Sequence, residues 1–360
     1  MNTYRSRPVP ARVGLALMFS VLGAASACAN ADGDTSETDS LEEAAHAAGQ
    51  GSPALAQVEP APAIDLASCD EIYSLRAYDP NNKSAPFSVP AGSELNQNLS
   101  FAPPWGDETV QAIAFIPKTD NRKVVHHWGL YLDDLYLTGW APGGEDRPAL
   151  PSDVGIELPK GAKAVKLNLH YFNKLGTTAA LDQTGVDICV VKGAHLRPKT
   201  AALFTSFGSI GVGPERLMVP ASVKNHAVTS TCVIEGNQPV HLLTASPHAH
   251  ERAVHMTLTA KTGGKDVVLH DGSFSFNEQR AYTMPGGEVV LSPGDTVTTQ
   301  CVYDNLTTKN IYFGESTQTE MCFIMVAYYP KGAFTCKGGG LFGSTGGPLR
   351  SPTATDHEIK

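Results

Sequence analysis

Apolar and polar residues alternate with a period of two through much of the chain between Cys69 and Cys336. Val165, Leu167 and Leu169 alternate with Lys166, Asn168 and His170, and Val254, Met256 and Leu258 alternate with His255, Thr257 and Thr259. Successive side chains of a strand point to opposite faces, so each run predicts a strand with one wet face. Turn signals such as Pro142-Gly143-Gly144, Gly263-Gly264, Pro285-Gly286-Gly287 and Pro293-Gly294-Asp295 separate the runs. No segment carries a long amphipathic helical pattern. Closely spaced strands without helical crossovers favour antiparallel pairing, so the pattern predicts an all-β chain built of antiparallel sandwiches. The span is too long for a typical single core and suits two domains of about 130 residues. With a boundary near Pro198 to Ser206, they cover 67–200 and 201–336.

The two ends read differently. Arg5, Arg7 and Arg12 precede an uncharged, mostly apolar run from Val13 to Ala25 that ends in small residues. This predicts a signal peptide over residues 1–27. A bilayer-spanning helix needs about 20 apolar residues, and no segment supplies them, so no transmembrane helix is expected. Ala25-Ser26-Ala27-Cys28 reads either as a small-x-small cleavage site or as a junction that resembles a bacterial lipobox, with Cys28 lipidated and anchoring the protein to a membrane. The first reading gives a secreted or soluble periplasmic protein. The second, preferred here, gives an exported lipoprotein of the outer membrane or periplasm. Residues 28–66 hold eight acids, no Lys or Arg, and runs of Ala and Pro, as expected of an unfolded tether. The Gly-rich segment 337–360 is expected to be a disordered tail.

The formal charge of the 360-residue chain is −9, with most of the acidity in the tether. The folded part is nearly neutral and has no basic patch, which argues against nucleic acid as a partner. Apart from Cys28 there are six cysteines: Cys69, Cys189, Cys232, Cys301, Cys322 and Cys336. An even number in an exported chain predicts three disulfides, and number alone leaves their connectivity open.

The candidate chemistry lies in histidines and one methionine. His248 and His250, two apart, would share a strand face and could reach one metal ion. His126 and His127 are adjacent and point to opposite faces, so they can share a metal only if the strand bends or ends there, or if they ligate through different ring nitrogens. His170 lies on the polar face of its strand, where a ligand would stay accessible. Met321 opens an apolar strand next to Cys322. Strand parity would send the cysteine into the core and the thioether outward, and a thioether selects copper over zinc or magnesium.

In order, His-His, His, His-x-His and Glu-Met-Cys resemble the ascorbate-dependent type II copper monooxygenases, the family of dopamine β-hydroxylase and peptidylglycine α-hydroxylating monooxygenase. Leu-Asn-Leu-His-Tyr-Phe-Asn, Pro-His-Ala-His, Ser-Pro-Gly-Asp-Thr-Val-Thr-Thr-Gln-Cys-Val-Tyr-Asp-Asn and Glu-Met-Cys before Tyr-Tyr-Pro carry the likeness. The resemblance implies two jelly-roll-like β-sandwich domains with an interdomain copper cleft and two coppers per chain. An electron-transfer copper would sit on His126, His127 and His170, and a catalytic, oxygen-binding copper on His248, His250 and Met321. It further implies an enzyme that hydroxylates a C–H bond of a small organic substrate with O2, using ascorbate as reductant. The implied disulfides are Cys69–Cys189, Cys232–Cys336 and Cys301–Cys322. Where the peptidylglycine enzyme holds its substrate's carboxylate with Arg and Tyr, this chain has Ser246 and Met325, so peptide amidation is not expected. His241, seven residues before His248, is a candidate to support the second site from behind. The competing reading is a catalytically silent copper-binding lipoprotein that keeps the sites.

Overall fold

The computed structural model describes residues 65–338 apart from 134, 145–149, 210–216 and 315, with the backbone alone at 202–209. The signal peptide, Cys28, the tether to residue 64 and the tail beyond residue 338 lie outside the described residues. All described residues belong to one compact unit. They form twenty-two strands and three short 3-10 turns, with no α-helix. No helix among them is long and apolar enough to cross a membrane.

The first ten strands are β1 (Glu71–Arg76), β2 (Phe87–Val89), β3 (Glu94–Phe101), β4 (Val110–Lys118), β5 (Val125–Leu132), β6 (Leu135–Trp140), β7 (Val154–Leu158), β8 (Val165–Phe172), β9 (Ala180–Asp182) and β10 (Gly185–Val191). The rest are β11 (Lys199–Ser209), β12 (Met218–Val219), β13 (Val223–Gly236), β14 (Val240–His248), β15 (Ala253–Thr262), β16 (Lys265–Ser273), β17 (Tyr282–Thr283), β18 (Val289–Leu291), β19 (Thr296–Asn305), β20 (Ile311–Tyr312), β21 (Cys322–Tyr329) and β22 (Phe334–Lys337). Lys337, expected to open the tail, therefore closes the last strand, where it pairs with Val233.

The second half repeats the first. The order β1-β10-β4-β7 continues in the same large sheet as β11-β21-β14, with β17 and β18 both on β14. The order β3-β8-β5-β6 has its counterpart in β13-β19-β15-β16, to which β22 adds on β13. In the first half, Leu75, Phe115, Ile156 and Ile188 of one sheet share a buried cluster with Leu167, Leu169, Trp128 and Leu130 of the other. In the second half, Leu242, Ala245, Ile324 and Val326 cluster with Ile234, Met256, Leu258 and Val297. Burial of these alternating positions is the main stabilising term, about 25 cal/mol per Å² of apolar surface. Leu243, Ala327 and Tyr329 of the second half belong to the first cluster, so the two halves share apolar contacts.

Among the pairs of named strands, one departs from the antiparallel expectation. Lys199, Thr200 and Ala201 of β11 run parallel to Val154, Gly155 and Ile156 of β7. The connection from β7 to β11 runs through β8 of the other layer, then β9 and then β10 of the same large sheet, and not through a helix. β11 then pairs antiparallel with β21, so the segment expected to divide the domains is a strand used by both halves.

The repeat extends to single side chains. Asn173 Nδ2 donates to the carbonyls of Val89, Pro90 and Thr178, and Asn305 Nδ2 donates to those of Val219, Pro220 and Lys309 at 3.3, 2.7 and 2.8 Å. Asn305 has no exposed surface. Asn305→Leu strands those carbonyls and is expected to cost about 2–4 kcal/mol, read as a lowered urea midpoint at unchanged slope.

Three disulfides link Cys69 to Cys189, Cys232 to Cys336 and Cys301 to Cys322, with Cα separations of 5.4, 5.3 and 5.9 Å.

Candidate metal centres

Two clusters of histidine side chains meet where the halves adjoin. In the first, Val125 pairs with Tyr171 and His127 with His170, leaving His126 as an extra residue in β5. Such a β-bulge bends the strand and redirects a side chain. The adjacent histidines therefore converge, with His126 Nδ1 and His127 Nδ1 3.0 Å apart. One nitrogen from each of His126, His127 and His170 can be chosen so that all three lie within 4.8 Å of one another. His170 Nε2 lies 3.1 Å from Glu94 Oε1, an acceptor, which makes Nε2–H the donor. Its Nδ1 is left buried without a partner. His170 is 3% exposed, so the expectation of an accessible ligand is corrected: Glu94 and the neighbouring rings cover it.

Burial brings the His126 pKa down to about 4, takes that of His127 well below its ordinary value, and lowers that of His170 despite Glu94. Neutral imidazoles with unshared nitrogens pointing together are a ready metal donor set.

In the second cluster, β14 ends at His248, and His250 follows beyond the strand with its ring centroid 5.8 Å from that of His248. His248 Nδ1 lies 2.8 Å from Gln279 Oε1, and His250 Nδ1 lies 3.0 Å from the Thr319 carbonyl. Both partners only accept, so both Nδ1 atoms carry the proton and both Nε2 atoms are left as donors to a metal. Burial lowers the pKa of His248, and that of His250 to about 3.

Met321 enters through its neighbour. Glu320 Oε2 accepts the backbone N–H groups of His250 at 2.9 Å and Met321 at 3.3 Å, and Oε1 accepts that of Arg252 at 2.8 Å. Tyr303 OH donates to the Met321 carbonyl at 2.6 Å. Cys322 faces the second core, as parity requires, and Met321 lies on the opposite face. There it is buried against Phe313 and Phe323, where sequence parity alone suggested an outward side chain.

The His127 and His248 ring centroids are 6.2 Å apart, so the clusters are neighbours. Beside them opens a cavity of about 560 Å³, lined by residues that include His126, Phe172, Glu251, Phe274, Phe276 and Thr317.

A sequence profile described as the C-terminal domain of copper type II ascorbate-dependent monooxygenases matches residues 208–338, the stretch that holds His248, His250 and Met321. Residues 208–338 thus carry a domain of that monooxygenase family. Relatives include MOXD1 homolog 1 of Drosophila melanogaster, 27% identical over 52% of this chain and 28% of its own length. DBH-like monooxygenase protein 2 of Mus musculus is 29% identical over 54% of this chain and 32% of its own. Dopamine beta-hydroxylase of Bos taurus is 26% identical over 54% and 33%. The matched region thus spans about a third of these relatives.

The donor types fit copper: three imidazoles in one cluster, and in the other two imidazoles, with Glu320 tying the backbone of His250 to that of the thioether-bearing Met321. The internal repeat shows that the clusters are not copies of each other. The bulge at His126 recurs at Val254, where Ala253 pairs with Tyr303 and His255 with Val302. The places of His126, His127 and His170 are therefore taken by Val254, His255 and Val302. His255 Nε2 instead meets Asp271 at 2.7 Å. His241 is nowhere near His248: its ring stacks on Tyr329 at 4.4 Å and its Nδ1 lies 3.3 Å from Glu288. His195 pairs with Asp70, and His270 is partly buried beside Tyr282. Glu94, Phe276, Gln279 and Glu320 touch the histidines without having been singled out. Of these, only Glu320 carried a signal, as the first residue of the Glu-Met-Cys motif.

Proposed function

We propose that this protein is a copper-dependent monooxygenase that hydroxylates a C–H bond of a small organic substrate with O2 and an external reductant such as ascorbate. Each half is a jelly-roll-like β-sandwich, one over residues 67–200 and the other over 201–336, and the cleft between them holds two coppers. His126, His127 and His170 hold the electron-transfer copper, and His248, His250 and Met321 the catalytic one. The observation that carries the reading is the placement of two neutral imidazole clusters side by side across the halves, with the His127 and His248 ring centroids 6.2 Å apart and a nitrogen of His170, His248 and His250 left free for metal. Copper in these sites would supply one-electron and oxygen chemistry, with the thioether favouring Cu(I).

The chain's own residues supply the rest. Gln279 and the Thr319 carbonyl orient the second pair of rings, and Glu94 orients His170. The cavity beside His126 offers Phe172, Phe274 and Phe276 to the apolar body of a substrate, with Glu251 at its wall. The leader, with Cys28 as a lipid anchor, places the protein outside the cytoplasm, where the disulfides persist.

Metal stoichiometry on residues 57–360 expressed in an oxidising compartment tests this. Two coppers per chain are expected, falling toward one in Met321→Ala and in His170→Ala, with oxygen consumption driven by ascorbate. A single copper, or zinc retained regardless of Met321, overturns the reading. Two coppers without ascorbate-driven oxygen consumption would instead identify a copper-sequestering protein.

A further inference from the structure

The turn 275–279 follows β16 and touches both histidine clusters as well as the first half of the chain. Its Glu278 N–H donates to the Ser275 carbonyl at 3.0 Å, closing the turn. The Phe276 ring stacks on His126, with centroids 4.4 Å apart and planes at 29°, and also lies edge-on to His250 at 6.1 Å. Three residues further on, Gln279 reaches His248. The Gln279 N–H donates to the Pro142 carbonyl of the first half at 2.6 Å. There Gly143, with φ +83°, comes so close that a Cβ would lie 2.9 Å from Glu278 Cα, so only glycine allows this approach.

The hydrogen bonds of Gln279 fix its orientation. Its Nε2 donates to the Phe276 carbonyl at 2.9 Å, which accepts only, so the amide cannot be flipped without losing that bond. Oε1 must then face His248 Nδ1, and an oxygen there requires the imidazole to carry its proton on Nδ1. The side chain is buried, so water cannot readily substitute for it. A ring with the other tautomer would present an N–H, and no lone pair, to a metal. It would also leave two acceptors facing each other at 2.8 Å.

We propose that Gln279 is the positioning residue that sets the His248 tautomer for metal binding, and that the turn 275–279, docked on Pro142, ties this setting to the seating of the two halves. The inference rests on the copper reading for its functional sense, but the tautomer exists with or without metal. In the metal-free protein labelled with 15N-histidine, long-range proton–nitrogen spectra are expected to show His248 protonated on Nδ1. Gln279→Leu is expected to lose that preference and to bind Cu(I) at the second site 10- to 100-fold more weakly, with the first site unchanged. Gln279→Glu keeps an acceptor and is expected to keep the Nδ1–H form.

Wild-type protein protonated on Nε2 overturns the proposal without recourse to any variant. So does Gln279→Leu with an unaltered tautomer and Cu(I) affinity within twofold of wild type. If the tautomer responds to Gln279 but no copper binds, the copper reading fails and the positioning role stands.

Discussion

Glu320→Leu is expected to lower folding stability by about 3–5 kcal/mol and to empty the proposed second copper site while sparing the first. Glu320 has no exposed surface, and its carboxylate accepts three backbone N–H groups, from His250, Arg252 and Met321. Leucine leaves three buried donors without an acceptor, each worth about 1–3 kcal/mol. The two N–H groups on Oε2 belong to candidate ligands from segments distant in sequence, so the same carboxylate oxygen sets the spacing of His250 and Met321. Glu320→Gln keeps one acceptor oxygen and turns an NH2 toward the remaining donors, so an intermediate loss is expected. Urea midpoints and copper retained after dialysis check both. A Leu variant that keeps two coppers and a midpoint within about 1 kcal/mol of wild type would show that Glu320 does not hold the site together.

How much of this was legible in the sequence depended on whether the signal was local. Strand character was, because Val165 to His170 and Met256 to Thr259 alternate with period two. Val254 breaks the alternation: it is half-exposed while Ala253 and Met256 are buried, because the β15 bulge falls on it. The same bulge in β5 converts His126-His127 from neighbours on opposite faces into a converging pair. Nothing in the dipeptide encodes it, since a bulge is set by cross-strand register with β8. The internal repeat was equally hidden. Its equivalent residues are scattered, as in Val89-Pro90 with Val219-Pro220 and Asn173 with Asn305, and they matter through backbone carbonyls. Gln279 lies 31 residues from His248, in a turn without periodicity, and only the fold connects them. The parallel pairing of β7 with β11 was missed because the connection runs through the three strands β8, β9 and β10, whereas sequence reasoning looked for a helix.

The metal-free protein is expected to lose stability as pH falls from about 6.5 toward 4. Burial holds the pKa of His126 at about 4 and that of His250 at about 3 and lowers those of His127, His170 and His248, with neighbouring histidines adding to it at His126, His127 and His250. In the unfolded chain these rings titrate near the ordinary value of about 6.5. Between the two values the unfolded state binds protons that the folded state refuses, so the stability contributed by each neutral ring is complete above about pH 6.5 and drains as pH drops toward the folded value. The slope approaches about 1.4 kcal/mol per pH unit for each ring inside its window. Glu320 works in the opposite direction, because burial outweighs its three N–H bonds and raises its pKa to about 7. Its proton is taken up more readily by the folded state, which adds stability as pH falls from about 7 to the ordinary carboxylate range. One carboxylate against these five imidazoles, with His270 also held down to about 4 by burial, leaves the net trend downhill. Urea midpoints of metal-free protein at pH 7.5, 6.0, 5.0 and 4.5 should show it, and His250→Leu should flatten the slope by about one proton. A midpoint unchanged down to pH 4.5 would mean that the rings are already charged or solvated in the folded protein. In that case the neutral donor set on which both proposed copper sites depend would not exist before the metal arrives.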